Sequence, residues 1–159
     1  MATLFAVLLM LSAQQAPVPA TIITKEEHEA VLKEQIAKNV VDQPIKLSDV
    51  IGGKASVAMR HRAKPEVSAL IHDYVTETYY IVSGSGTFVA GGRLGDAKPT
   101  DLTRVNAGMS QTGTRIGGES RHVKPGDIII VPAGTPHSFS ELDGPISYLV
   151  YRFEPTARK

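Results

Sequence analysis

The chain has 159 residues, the size of one folded domain, and its 42% hydrophobic content is enough for an ordinary core. Its 17 basic and 16 acidic side chains leave a formal charge of +1, so no strong field draws in nucleic acid or an anionic membrane, and neither is expected as a partner. With no cysteine, the chain cannot form disulfides, Cys-ligated zinc or iron–sulfur sites, and it excludes thiol catalysis and a lipidated cysteine anchor.

The first residues, from Met1 through Gln15, hold an apolar run too short to cross a bilayer, followed at once by small and polar residues. Residues 1–20 therefore read as a secretory signal peptide with a Pro/Ala spacer, cleaved near Ala13, and residues 21–159 as a single domain that works in the periplasm or outside the cell. Next comes Thr24-Lys25-Glu26-Glu27, a capping box in which Thr24 caps a helix and Glu27 bonds back. The helix is expected to run to about Lys38. Val31, Leu32 and Ile36 form its apolar stripe against the rest of the fold or a partner subunit, with His28 on the surface.

From Val40 onward the texture is that of an all-β sandwich or barrel, with short apolar runs separated by Gly, Pro and Asp. The predicted strands are Val40-Val41 with Ile45 to Leu47, Ser56 to Met59, Val67 to Ile71, Thr76 to Val82, Thr87 to Ala90, Ile128 to Val131, Ser138 to Ser140, and Ile146 to Phe153. The stretch from Gly91 to Ser120 is rich in Gly, Thr, Ser and Asp and poor in apolar residues, so a long lid-like loop is expected there.

Two segments carry chemistry. In His72-Asp73-Tyr74-Val75-Thr76-Glu77, the imidazole and carboxylate stand five apart, which on a straight strand puts them on opposite faces. They converge only if the chain bends at Asp73-Tyr74-Val75. Beyond the bend, Glu77, Tyr79 and Ile81 share one face of a strand. In Gly126 to Phe139, an apolar strand is stopped by Pro132-Ala133-Gly134-Thr135-Pro136, and His137 opens the strand that follows. Two histidines and a carboxylate suit a divalent metal of intermediate hardness and leave coordination positions open for substrate or oxygen. A buried carboxylate with no cation beside it is also costly, which favours a metal at Glu77.

These segments resemble the two motifs of the cupin superfamily, G-x5-H-x-H-x4-E-x6-G and G-x5-P-x-G-x2-H-x3-N. The first is matched at His72, Glu77 and Gly84, the second at Gly126, Pro132, Gly134 and His137. The chain departs from the pattern at Lys64, where a glycine belongs, at Leu70, which replaces the first histidine, and at Glu141, which replaces the final asparagine. The resemblance implies an all-β fold, a single cupin β-barrel (jelly roll) with the short N-terminal helix appended, often a homodimer. It also implies one divalent metal ion held by His72, Glu77 and His137. A fourth ligand is water or a further histidine, His61 or His122.

Tyr79, Phe139 and Tyr148 read as interior packing. Arg60, Arg62 and Arg152 read either as carboxylate-binding groups for a substrate or as solvated edge residues. The leading functional expectation is a mononuclear metal-dependent oxidoreductase acting on a small-molecule or carbohydrate substrate, with iron or copper favoured and no catalytic residue assigned beyond the ligands. Manganese, nickel or zinc are the other metals, and a redox-inactive ion points to isomerase or lyase chemistry. Two further readings are a non-catalytic metal- or ligand-binding cupin and a metal-free epimerase with His72 as base.

Overall fold

The computed structural model describes residues 19–156. The expected signal peptide lies outside the described residues, except for the last two positions of its spacer. Among the described residues no helix is long and apolar enough to cross a membrane.

Helix α1 (Lys25–Lys38) begins as its sequence dictates. The Thr24 hydroxyl accepts from the Glu27 amide, Glu27 accepts in return from the Thr24 amide, and Asn39 ends the helix in the left-handed conformation at φ 52°. The buried face holds Gln35 beside the half-buried Val31 and Leu32 of the expected stripe, while the third stripe residue, Ile36, faces outward. Ile36 is 51% exposed, whereas Gln35 is 1% exposed and donates from Nε2 to the carbonyls of Val41 at 2.8 Å and Met59 at 3.0 Å. The helix is thus fastened by an amide that satisfies two backbone acceptors, an interaction invisible to a count of apolar residues. His28 is half-buried, next to Val57, Leu149 and Tyr151, rather than on the surface.

Among the described residues eleven strands follow: β1 (Asp42–Val50), β2 (Gly53–Arg62), β3 (Ala69–His72), β4 (Thr76–Ser83), β5 (Gly86–Ala90), β6 (Arg93–Asp101), β7 (Met109–Ile116), β8 (Glu119–Val123), β9 (Ile128–Val131), β10 (His137–Leu142) and β11 (Ile146–Pro155). They form two antiparallel sheets, one ordered β1-β2-β11-β4-β9 and the other β6-β7-β3-β10-β5-β8. From β2 to β5 and again from β8 to β11 the chain changes sheet at every connection, which makes the architecture a jelly roll.

The segment from Gly91 to Ser120 is not a lid. It forms β6, a single 3-10 turn at Thr103–Val105, β7 and the start of β8, with β7 paired to β3 and β8 to β5. Strand patterning is visible in a sequence only where one face is buried and the other wet. β6 and most of β7 are half-exposed or exposed on both faces, so their polar sequence carries no alternation to read.

Between the sheets lies a core of Tyr79, Ile81, Phe88, Val123, Val131, Phe139, Ile146, Tyr148 and Val150. Four aromatic rings form its centre, with centroids 4.9 Å apart for Tyr79–Tyr148, 5.1 Å for Phe88–Phe139, 5.3 Å for Phe139–Tyr148 and 5.7 Å for Tyr79–Phe88. Each such burial is worth roughly 1.5–3 kcal/mol, with about 0.5–1.5 kcal/mol more per ring pair. The interior packing expected of Tyr79, Phe139 and Tyr148 is what the structure contains. Gly84, which closes the first motif, sits at φ 76°, and a Cβ there would stand 2.1 Å from the Pro145 carbonyl oxygen, so no other residue fits.

Replacing Gln35 by Ala removes two buried hydrogen bonds, although the Val41 carbonyl keeps the His61 amide as donor, and is expected to cost about 1–3 kcal/mol, lowering Tm by several degrees. Ile36→Ala, at an exposed position, is expected to stay within about 0.5 kcal/mol of the parent. Thermal unfolding followed by circular dichroism measures both.

Candidate metal centre

The bend expected at Asp73-Tyr74-Val75 exists, and it does more than turn a strand. It carries the chain from β3 in one sheet to β4 in the other, so His72 and Glu77 project towards each other across the sandwich. The Pro132–Pro136 corner likewise takes the chain from β9 to β10 in the opposite sheet, where His137 pairs with Leu70 two residues before His72. These corners are crossovers between the sheets and not hairpins within one sheet. The Gly134 amide donates to the His72 carbonyl at 2.8 Å, so the two corners are tied together directly above the residues they deliver.

The result is one compact group. His72, Glu77 and His137 are 2%, 0% and 3% exposed, and their ligand atoms all lie within 4.8 Å of one another. Glu77 Oε2 is 3.3 Å from His72 Nε2 and 3.5 Å from His137 Nε2, yet neither nitrogen makes a hydrogen bond. The partners of the other ring nitrogens explain why. His137 Nδ1 lies 2.9 Å from the Thr135 carbonyl, which can only accept, so Nδ1 carries a proton and the neutral ring has its lone pair on Nε2. His72 Nδ1 lies 2.8 Å from Ser110 Oγ, whose own proton faces the carbonyls of Ala107 and Gly108, each at 3.3 Å. Ser110 therefore accepts from His72, whose Nε2 also presents a lone pair.

Two imidazole lone pairs and a carboxylate oxygen then point at one place with no proton between them. That arrangement is repulsive unless a cation lies there. Ligand atoms about 3.0–3.4 Å apart are what adjacent ligands adopt around an ion with bonds of about 2.1 Å. The residues present therefore fit a divalent metal ion, and each histidine is oriented through its second nitrogen as metal-binding histidines are.

Glu77 itself is held firmly. Tyr79 OH donates to Oε2 at 2.5 Å and Arg152 Nε donates to Oε1 at 2.7 Å. Burial opposes its ionisation and the Arg152 guanidinium favours it. The inference that a buried Glu77 must have a metal as its counter-ion is thus corrected, because Arg152 already supplies that charge. The case for an ion rests on the unpaired nitrogens instead.

Neither reading of the arginines survives. Arg152, Arg60 and Arg62 lie on β11 and β2, central strands of their sheet, and none is a solvated edge residue or free for substrate. Arg152 also bonds Asp42 and donates to the Val105 carbonyl at 2.6 Å, Arg60 Nε lies 3.0 Å from Asp42, and Arg62 pairs with Glu66 at 2.7 Å while donating to the Tyr148 hydroxyl. His61 and His122 do not join the centre. His61 bonds Ser147 at 2.9 Å, and the exposed His122 bonds Asp143 at 2.8 Å. Sequence reasoning missed Ser110, the Thr135 carbonyl, the Tyr79 hydroxyl and the Arg152 contact. Only Tyr79 left a signal, since its spacing put it on the same face as Glu77.

A cavity of about 590 Å³ opens between the β8 and β9 edges, lined by Phe88, Ala90, Val123, Ile128 and Ile129 with Glu119, Arg121 and Asp127. Phe88 also packs against the His137 ring, with centroids 6.1 Å apart.

The two crossed sheets, the paired corners and the inward histidines and carboxylate define a cupin: the chain is a β-barrel protein of that fold. A family model for the AraC-like ligand-binding domain matches residues 113–159, which include His137. A Bacillus halodurans protein is 15% identical, with the similarity covering 91% of this chain and 87% of that one at a TM-score of 0.52. A cupin superfamily protein from Desulfitobacterium hafniense is 16% identical over 72% of this chain and 76% of that one, at a TM-score of 0.43. A DMSP lyase from Ruegeria pomeroyi is 17% identical over 68% of this chain and 41% of that one, at 0.42. No curated protein sequence matches the chain.

His72→Ala and His137→Ala are each expected to abolish stoichiometric metal uptake while leaving the far-ultraviolet circular dichroism of the barrel unchanged. Equilibrium dialysis against zinc or copper, followed by elemental mass spectrometry, checks this.

Proposed function

We propose that this cupin binds one divalent metal ion through His72 Nε2, His137 Nε2 and Glu77 Oε2 and acts as a mononuclear oxidoreductase on a small organic substrate, with iron or copper as the working ion. The convergence of three lone-pair atoms with no proton among them carries the reading. Because Glu77 Oε1 is taken by Arg152, the carboxylate offers a single oxygen and the protein supplies three ligands. Three ligands leave positions open, and a bound iron or copper ion supplies redox chemistry there.

The chain's own residues do the positioning. Ser110 and Thr135 fix the two imidazoles, Tyr79 and Arg152 fix the carboxylate, and Phe88, Phe139 and Tyr148 keep bulk water from the centre. The tight, aromatic interior favours a small organic substrate over a carbohydrate polymer. The apolar start of the sequence supports export, so the protein works in the periplasm or outside the cell. The outer face of the β11-β4-β9 half-sheet exposes Tyr80, Ile128, Ile130, Tyr151 and Phe153, which supports a homodimer built on that face. Light scattering is expected to give twice the chain mass, with Ile128→Lys/Ile130→Lys monomeric.

A second reading, a binding module without turnover, draws on the 2–3% exposure of the two histidines and on an interior filled by aromatic rings. Protein purified without a chelating tag separates the two. The expected outcome is about one equivalent of iron or copper, and oxygen uptake with small aromatic or keto-acid substrates that disappears in His137→Ala. A bound ion without oxygen uptake favours the binding module, and zinc directs assays towards isomerase and lyase chemistry.

A further inference from the structure

The side of the sandwich bounded by β8 and β9 is open. Each is the last strand of its own sheet, β8 beside β5 and β9 beside β4, and the two do not pair with each other. Inward-pointing side chains of these strands and of β5 therefore line the cavity of about 590 Å³ between the edges: Phe88, Ala90, Val123 and Ile129, with Ile128 at the rim. That volume falls within the roughly 300–1,000 Å³ of small-molecule sites. It exceeds the cavities of about 310 Å³ beside His28 and about 220 Å³ beside Arg152. The charged members of the lining have other partners. The Arg121 and Glu119 side chains are 81% and 86% exposed and lie 3.8 Å apart in water, and the Asp127 carboxylate accepts from the Lys124 amide at 2.9 Å within the turn between β8 and β9. A charged ligand would lose its hydration here without gaining a buried counter-charge, whereas an apolar one takes apolar surface out of water. Phe88 is itself a member of a ring cluster, with centroids 5.1 Å from Phe139, 5.7 Å from Tyr79 and 6.1 Å from His137.

We propose that this lateral cavity is a binding site for a small uncharged aromatic molecule, distinct from the metal centre and partitioned from it by Phe88. A ring seated against Phe88 extends the existing cluster, and that contact favours an aromatic molecule over an aliphatic one of equal size by about threefold to tenfold. Ala90, the smallest side chain of the wall, leaves room for the ring beside Phe88. The lining contains none of His72, Glu77 and His137, so the site does not depend on a bound ion. Phe88 is the one residue placed to serve both, because it lines the cavity and packs against the His137 ring.

The chain contains no tryptophan, so added indole can be followed by its own fluorescence. Titration of the protein with indole is expected to move that emission to shorter wavelength and to saturate, while ring-current shifts appear at the methyl NMR signals of Ala90, Val123 and Ile129. Measured by displacement of indole, benzoate and benzylammonium are expected to bind at least about tenfold more weakly than benzyl alcohol. Ala90→Phe, which fills the cavity, is expected to weaken indole at least about tenfold, and Phe88→Leu by about threefold to tenfold. His72→Ala is expected to leave indole affinity within about twofold, so this inference and the metal reading fail separately. The methyl shifts of the unmodified protein test the site even where a variant does not fold. Indole binding that does not saturate overturns the proposal, as do methyl shifts that map elsewhere, unchanged affinity in folded Ala90→Phe, or charged analogues that bind as tightly as benzyl alcohol.

Discussion

The Glu77–Arg152 contact is the interaction on which the centre depends. It joins β4 to β11 at the register Glu77↔Arg152, in the middle of one sheet, and it sets which carboxylate oxygen faces the histidines of the other. Removing either partner would leave a buried charge alone, at a cost of about 3–5 kcal/mol, so the pair constrains the barrel as well as the site. Through Asp42 and Arg60 the same network reaches β1 and β2, and through Val105 it reaches the turn between β6 and β7. Four strands and a loop are thereby positioned around one carboxylate.

A second constraint is the pair of sheet-to-sheet crossovers. Antiparallel hairpins would leave His72 and His137 on one sheet with no carboxylate opposite. Because both corners cross the sandwich, and because Gly134 bonds back to His72, ligands separated by 65 positions in the chain meet within hydrogen-bond range of Glu77. The aromatic core directly beneath them serves stability and chemistry together: Tyr79 packs against Phe88 and Tyr148 while its hydroxyl fixes the ligand oxygen.

Much of this was legible from residue order. The Thr24–Glu27 capping box is local chemistry and its helix ends at Lys38 as expected. The motif spacings from His72 to Gly84 and from Gly126 to His137 picked out the three side chains that converge, because turn geometry is written in the Pro and Gly that make it. The failures share a cause. β6 and β7 carry no alternation, since both of their faces meet solvent. Gln35 was overlooked in favour of Ile36 because a hydrogen-bonded amide is not a hydrophobic signal. The arginines were assigned to edges or substrate because charge in a sequence does not reveal its partner.

The sequence by itself therefore determined the class of fold, the helix and the three inward side chains, all of which follow from short-range turn chemistry and strand period. Tertiary structure alone decided that Glu77 is already neutralised, that both histidines present lone pairs, and that the polar stretch after Gly91 is sheet. Those facts depend on Arg152, Ser110 and Asp42, residues 75, 38 and 110 positions from the groups they pair with. No local pattern encodes such distances, because the partner is chosen by how two sheets pack.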